Sequence, residues 1–240
     1  MKQITALFFV LLLGGMLWRL APSLAFNGQL GHVARHYVDK AVADNKGSNI
    51  VTSIVVNYRG FDTFGEVSVL FLSVAGALFL LRRRKGLRVA KKPVASSEIV
   101  RTGTRLMFAP MVLLGAYVFV HGHLTPGGGF QGGAIIATAV LLLLLSDSEK
   151  RLPHGFLTWL ESLSGLGFAL VGLAGLFVAG SFLSNKGVLG LGEWNRLFSA
   201  GIIPIIYVLV GLKVGAELSA LLDDMTHNRV TSTKEQEQDA

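Results

Sequence analysis

Cysteine is absent from this chain of 240 residues, and charged residues make up only 15% of it. The first absence removes disulfides, thiolate metal sites, iron–sulfur ligation and thiol nucleophiles. The second sets the chain apart from soluble domains, in which about a quarter of residues are charged. There is also no Walker-type phosphate loop, no dinucleotide-binding glycine fingerprint and no Gly-x-Ser-x-Gly nucleophile elbow. No cofactor is indicated.

What fills the chain instead is apolar. Hydrophobic residues reach 51% and the mean hydropathy is +0.55. A helix needs about 20 apolar residues to cross a hydrocarbon core of about 30 Å. Six stretches qualify as candidates: Ile4–Phe26, Thr63–Leu81, Leu106–Val120, Gly132–Leu145, Leu160–Leu183 and Phe198–Leu222. The third and fourth look short. The pattern predicts an all-α polytopic membrane protein of about six helices. The net charge of +7 does not read as a nucleic-acid surface, because nine of the Lys and Arg residues fall between Arg82 and Arg105. Basic loops stay inside, so that loop and both termini are expected in the cytoplasm. This places fourteen Lys/Arg inside and six outside. The first stretch reads as an anchor: Lys2 and Ser23-Leu24-Ala25 fit a cleaved signal loosely, but the apolar run continues to Trp18-Arg19.

The basic loop divides the chain into a two-span region (1–90), a four-span region (91–225) and a polar tail (226–240), with Lys91-Lys92-Pro93 to Ser97 as the joint. Between the first two spans, Val33 to Ala43 places Val33, Tyr37, Val38 and Val42 at helical spacing, which predicts a short amphipathic helix outside. The residues from Thr231 onward are polar and are expected to be disordered. No internal repeat supports an inverted-repeat transporter.

Ionisable residues inside spans are costly and so informative. Asp62 and Glu66 share a helix face at the start of the second span. Asp62 reads as an N-cap paired with Arg59. Glu66 lies beyond the cap in an apolar run, where a carboxylate either pairs with a cation or handles a proton or Na⁺. Lys213 and Glu217 form a second i,i+4 pair deep in the last span. They make either a packing ion pair or a step in a polar axis. Glu161 reads as interfacial and is given no role. A third cluster runs His121-Gly122-His123-Leu124-Thr125-Pro126-Gly127-Gly128-Gly129-Phe130-Gln131-Gly132-Gly133. Six glycines and a proline in thirteen residues argue against regular helix. The segment is therefore an outer loop or a re-entrant turn, with Phe130 placed to plug a path and His123 to relay a proton or cap the loop. His32 and His36 have ligand spacing without a third donor, so no metal is expected.

Two of these clusters carry a resemblance. Thr125 to Gly133, preceded by Gly122-His123, resembles the signature loop of the B-type component of Mrp-type multisubunit Na⁺/H⁺ antiporters, and the likeness covers Ser97 to Leu222. Asn49 to Glu66 resembles the C-terminal region of the A-type component of those antiporters. It is also similar to the small E-type component of membrane-bound, energy-converting hydrogenases. The chain thus resembles a fusion of the two pieces.

This resemblance implies a multi-pass subunit of the cell (inner or plasma) membrane in an ion-translocating complex exchanging Na⁺ and H⁺. Its implied partners are large subunits resembling those of respiratory complex I, small membrane subunits and, in the redox-driven case, a hydrogenase-type soluble arm, with no nucleic acid. By the same resemblance Glu66 is the residue important for antiport, and His123, Pro126 and Phe130 are implicated in the loop. The translocation candidates are Glu66, Asp62, Lys213, Glu217 and His123; Pro126, Gly127, Gly128, Gly129, Phe130, Gly132 and Gly133 form the loop motif. Any redox catalysis is expected in partner chains. A scaffold role, with the charges buried as structural pairs, is the other reading of the same residues.

Overall fold

The computed structural model describes residues 2–20, 30–83, 96–147 and 150–238, and the regular structure among them is entirely helical. The chain divides into two units, Met1–His36 and Tyr37–Ala240. The first holds α1 (Lys2–Leu20), exposed from Ile4 to Leu20. The remainder of the first expected span, through Phe26, lies outside the described residues, as does the basic stretch 84–95.

Helix α2 (His32–Asn45) forms where the apolar spacing predicts it, but the residues it buries are Ala41 and Asn45 rather than the Val33-to-Val42 stripe. Asn49 then caps the short α3 (Ile50–Thr52), its Oδ1 accepting from the Val51 N–H at 3.1 Å. A π-helical turn, Ser53–Tyr58, leads into α4 (Gly60–Arg83). Such wide turns occur often at functional sites, and this one immediately precedes Asp62 and Glu66. The rest of the chain forms α5 (Glu98–Val120), α6 (Gly129–Ser146), α7 (His154–Ala179) and α8 (Ile203–Gln238). Helices α4 to α8 each contain a stretch long and apolar enough to cross a membrane, and α1 is a shorter apolar helix. The protein is an all-α, multi-pass membrane protein.

Several boundaries differ from the apolar stretches. Ser97 caps α5 and Glu98 opens its first turn, so the third span gains two polar turns before Leu106. Helix α7 starts at His154, straight after Pro153, and stops at Gly180, whose φ of +74° takes up the left-handed conformation that ends many helices. Leu183 therefore lies beyond the fifth helix, in a segment that folds back so that Leu183 N–H donates to the Gly172 carbonyl at 3.1 Å. The sixth span begins at Ile203 rather than Phe198. Helix α8 continues to Gln238 where disorder was expected; no Gly or Pro follows Gly215 to stop it.

The glycine-rich cluster is the clearest correction. Residues 121–128 are irregular, but α6 is regular helix through Gly129, Gly132 and Gly133. Tertiary contact overrides propensity here. A Cβ on Gly132 would stand 2.5 Å from the Gly115 carbonyl oxygen of α5, and one on Gly133 would stand 2.8 Å from the Gly211 carbonyl oxygen of α8. Backbones can approach this closely only where neither side chain intervenes. Helix α6 is thereby pressed between α5 and α8, and α8 also packs on α4 and α7. The core forms around α8: Ile203, Ile206, Tyr207, Val210 and Val214 meet Phe168 of α7 and Val67 of α4. Gly132→Ala should cost about 1–3 kcal/mol through overpacking. A lower thermal midpoint in detergent is the expected reading, with Gly76→Ala, which meets nothing within 4 Å, showing no loss.

Candidate functional site

The apolar interior built around α8 contains three charges. Lys213 Nζ lies 3.5 Å from Glu217 Oε2 on its own helix and 3.6 Å from Glu161 Oε1 on α7. It also sits 5.0 Å from the centroid of the Phe71 ring on α4, within cation–π reach. The Glu217 side chain is 1% exposed and that of Lys213 10%. Gly165 of α7 lies beside the lysine stem, where a Cβ would make ordinary contact with Lys213 Cδ at 3.6 Å. Between α4 and α7 a groove of about 340 Å³, lined by Phe64, Phe71, Phe168 and Ala169 among others, reaches Lys213.

Two carboxylates on one ammonium leave a negative charge in excess, which burial makes costly. A proton on either carboxylate, or a small cation beside them, cancels it. Glu161, given no role from the sequence, is thus a full member of this centre. Pro153 is the signal that would have found it: a proline preferentially precedes or opens a helix, and a start there puts Glu161 two turns inside.

Asp62 and Glu66 lie on a different surface. Helix α4 starts at Gly60, so Asp62 is in its first turn and is not the N-cap. Its carboxylate pairs with Arg59 at 2.6 Å, both side chains being more than half exposed. Glu66, one turn on, is exposed on the chain's surface and shares a recess of about 60 Å³ with Val55, Arg59, Asp62 and Thr63. The ion pairs of Lys213 run to Glu161 and Glu217, not to Glu66.

The loop before α6 is a packed polar node. Asn49 Nδ2 donates to the carbonyls of Gly122 at 2.9 Å and Thr125 at 3.1 Å; Thr52 Oγ1 donates to Gly122 at 2.7 Å and accepts from Tyr207 at 3.1 Å. The Tyr207 ring fills the place where a Gly122 Cβ would stand. Gly127 and Gly128 are held as closely, by the Val118 carbonyl and the Gln131 side chain, and Gly129 by Val210. Pro126 is exposed, and Phe130 is half-buried and packs on the core cluster. His121 stacks on Tyr117 at 4.3 Å. His123 is 0% exposed, its Nε2 3.4 Å from the Arg196 carbonyl oxygen and its Nδ1 without a hydrogen-bond partner. Burial lowers its pKa and keeps the ring neutral, the Arg196 and Leu197 backbone groups opposing that shift. His32 and His36 are both exposed, and among the described residues no three His, Asp or Glu side chains converge as a metal site requires.

Known proteins match both regions. The family described as a domain related to the MnhB subunit of Na⁺/H⁺ antiporter matches residues 99–220, and the MbhE family, the E-type component of MBH, matches residues 1–99. An uncharacterised protein of Methanocaldococcus jannaschii is 34% identical over 194 residues, covering 71% of this chain and 74% of that protein. A probable A/B-type component of a K⁺/H⁺ antiporter of Rhizobium meliloti is 28% identical over 180 residues; the match takes in 64% of this chain but 18% of that longer protein. Among solved structures, a chain of the membrane-bound sulfane sulfur reductase, an archaeal respiratory membrane complex, superimposes with a TM-score of 0.81 at 40% identity over 93% of this chain and 97% of that one. A chain of the Mrp complex from a Dietzia species gives 0.78 at 25% identity, over 95% of this chain and 26% of that one.

The buried His123 generates a pH prediction. Its folded pKa lies below the unfolded value of about 6.5, so the unfolded chain takes up the proton more readily. Stability is complete above that value and falls as the pH drops towards the folded pKa. The thermal midpoint in detergent should decline from about pH 7.5 to about pH 5.5, and His123→Gln should flatten the decline. An equal slope in both proteins would contradict this.

Proposed function

The chain belongs to the family of domains related to the MnhB subunit of Na⁺/H⁺ antiporters, and from that premise we propose that it is an integral-membrane subunit of a cation/proton antiporter module in the plasma membrane. In this reading residues 1–90 and 91–225 are two pieces joined by a cytoplasmic basic loop, and the chain itself catalyses no chemical reaction. The observation that carries the proposal is Lys213 held between Glu161 and Glu217 inside apolar helices. Scaffolding does not require an ionisable centre there, and ionisable groups within spans typically mark ion and proton routes.

Exchange then proceeds by protonation and cation binding at carboxylates. A protonated carboxylate crosses a dry region at low cost, and an ionised one takes Na⁺ together with neutral oxygens. Glu66 is the leading candidate for the cation step. It is a carboxylate within a span, exposed on this chain, and so available to an adjoining subunit. Lys213 and Glu217 carry the proton side, and Asp62 holds the approach with Arg59.

The full-length correspondence with a chain of a respiratory membrane complex favours a second reading, in which the same module is driven by a redox arm on other chains. In vesicles bearing the purified complex, Glu66→Gln should abolish Na⁺-driven proton movement and Glu66→Asp should retain part of it. Wild-type exchange in assembled Glu66→Gln would refute the assignment. A tagged pull-down in mild detergent separates the two readings: antiporter-type membrane subunits alone support the gradient-driven complex, and co-purifying iron-containing redox subunits support the second.

A further inference from the structure

Helices α7 and α8 meet along a seam bearing a second contact between titratable side chains. His154, the first residue of α7, places Nε2 2.8 Å from Oδ2 of Asp223 near the end of the apolar part of α8. The two side chains differ sharply in access: Asp223 is 2% exposed and His154 49%. A buried carboxylate is therefore reached through a histidine open to the outside.

Glu161 stands seven residues after His154, on the same face of α7 and about 10.5 Å further along its axis at 1.5 Å per residue. The seam thus presents a half-open His–Asp pair at one end and the Lys213 centre about a third of the hydrocarbon thickness inward. Buried hydroxyls accompany it. Ser219 lies one turn from Asp223 on the same face of α8, and Ser164 lies one turn beyond Glu161. Both oxygens of Glu217 and Oδ2 of Asp223 lack a hydrogen bond, so the His154–Asp223 approach is a close contact without hydrogen-bond alignment.

We propose that His154 and Asp223 form a proton-uptake site for the Lys213 centre, an inference that rests on the antiporter reading above. A proton from bulk water binds Nδ1 of His154 while the proton on Nε2 passes to Asp223 Oδ2, leaving the imidazole neutral in its other tautomer. Asp223 then releases that proton through bound water along the seam to a carboxylate of the centre, regaining its charge. Histidine suits the outer position because its protonation changes near physiological pH. Among the described residues, the other charged groups near this end are Asp147, Lys150 and Arg151 before His154, Asp224 beside Asp223, and Glu98, Arg101 and Arg105 in the opening turns of α5, whose start Ser96 ties to the end of α6 by donating to the Ser146 carbonyl.

The test uses the assembled complex in vesicles. Asp223→Asn should assemble yet lose Na⁺-driven proton movement by about a hundredfold, the low end of what a proton-transfer group contributes. A small permeating weak acid such as azide should restore part of the rate in Asp223→Ala and leave the wild type unchanged. His154→Gln, at a half-exposed site, provides the second variant: a slower rate with a flattened pH profile is expected. Wild-type rates in assembled Asp223→Asn or in His154→Gln overturn the proposal. A loss that merely tracks reduced assembly and is not rescued by azide also overturns it, and makes the pair a structural lock. Exchange missing from the wild-type complex removes the antiporter reading itself; active wild type with active variants removes only this site.

Discussion

Everything else in this membrane domain depends on how closely α6 lies against α8. Gly133 meets the Gly211 carbonyl and Gly129 meets Val210 and the Tyr207 carbonyl, at separations that no side chain would permit. Within lipid there is no hydrophobic gain in bringing two apolar helices together, so close van der Waals fit must supply the attraction. With α6 seated, α8 is surrounded by α4, α5, α6 and α7. Of the charged residues in its apolar span, Lys213, Glu217 and Asp223 are buried and Asp224 is half-buried.

That placement decides the chemistry. Lys213 alone among apolar helices would be expensive; two carboxylates stabilise it and then exceed its charge. The groove between α4 and α7 reaches this centre. Glu66 differs in kind, since it faces away from this interior. Its carboxylate is exposed on this chain, whose likenesses are chains of multisubunit assemblies.

Long apolar runs made the helices legible, and the sparse ionisable residues within them gave Lys213, Glu217 and Glu66. Their ends were harder to read. Hydropathy ignores polar first turns, so α5 and α7 begin well before Leu106 and Leu160, and Glu161 falls two turns inside its helix beside Lys213. The glycines of α6 read as helix-breaking because propensity describes an isolated segment; the partners that compensate, Gly115 and Gly211, are remote in sequence. The pairing of His154 with Asp223 was out of reach for the same reason. Helix α7 shows a further limit of pattern reading, since only a contact reveals which of its many apolar-flanked polar residues turn inward.

The loop node joins sequence-distant pieces as firmly as the helices do. Asn45 accepts from the Asn185 side chain at 3.0 Å, Asn57 accepts from the Asn185 N–H at 3.0 Å, and the Ile202 N–H donates to Asn185 at 2.9 Å. A single amide thus anchors the region before α4 to the segment that launches α8. Since the ribosome makes α8 after α4 to α7, those four helices enter the bilayer before their common neighbour exists. Until it arrives, the Gly129 and Gly133 face of α6 and the carboxylate of Glu161 lack their α8 partners. Arrival of the last span completes the packing of α6, brings Lys213 to Glu161 and lets Asn185 accept from the Ile202 N–H.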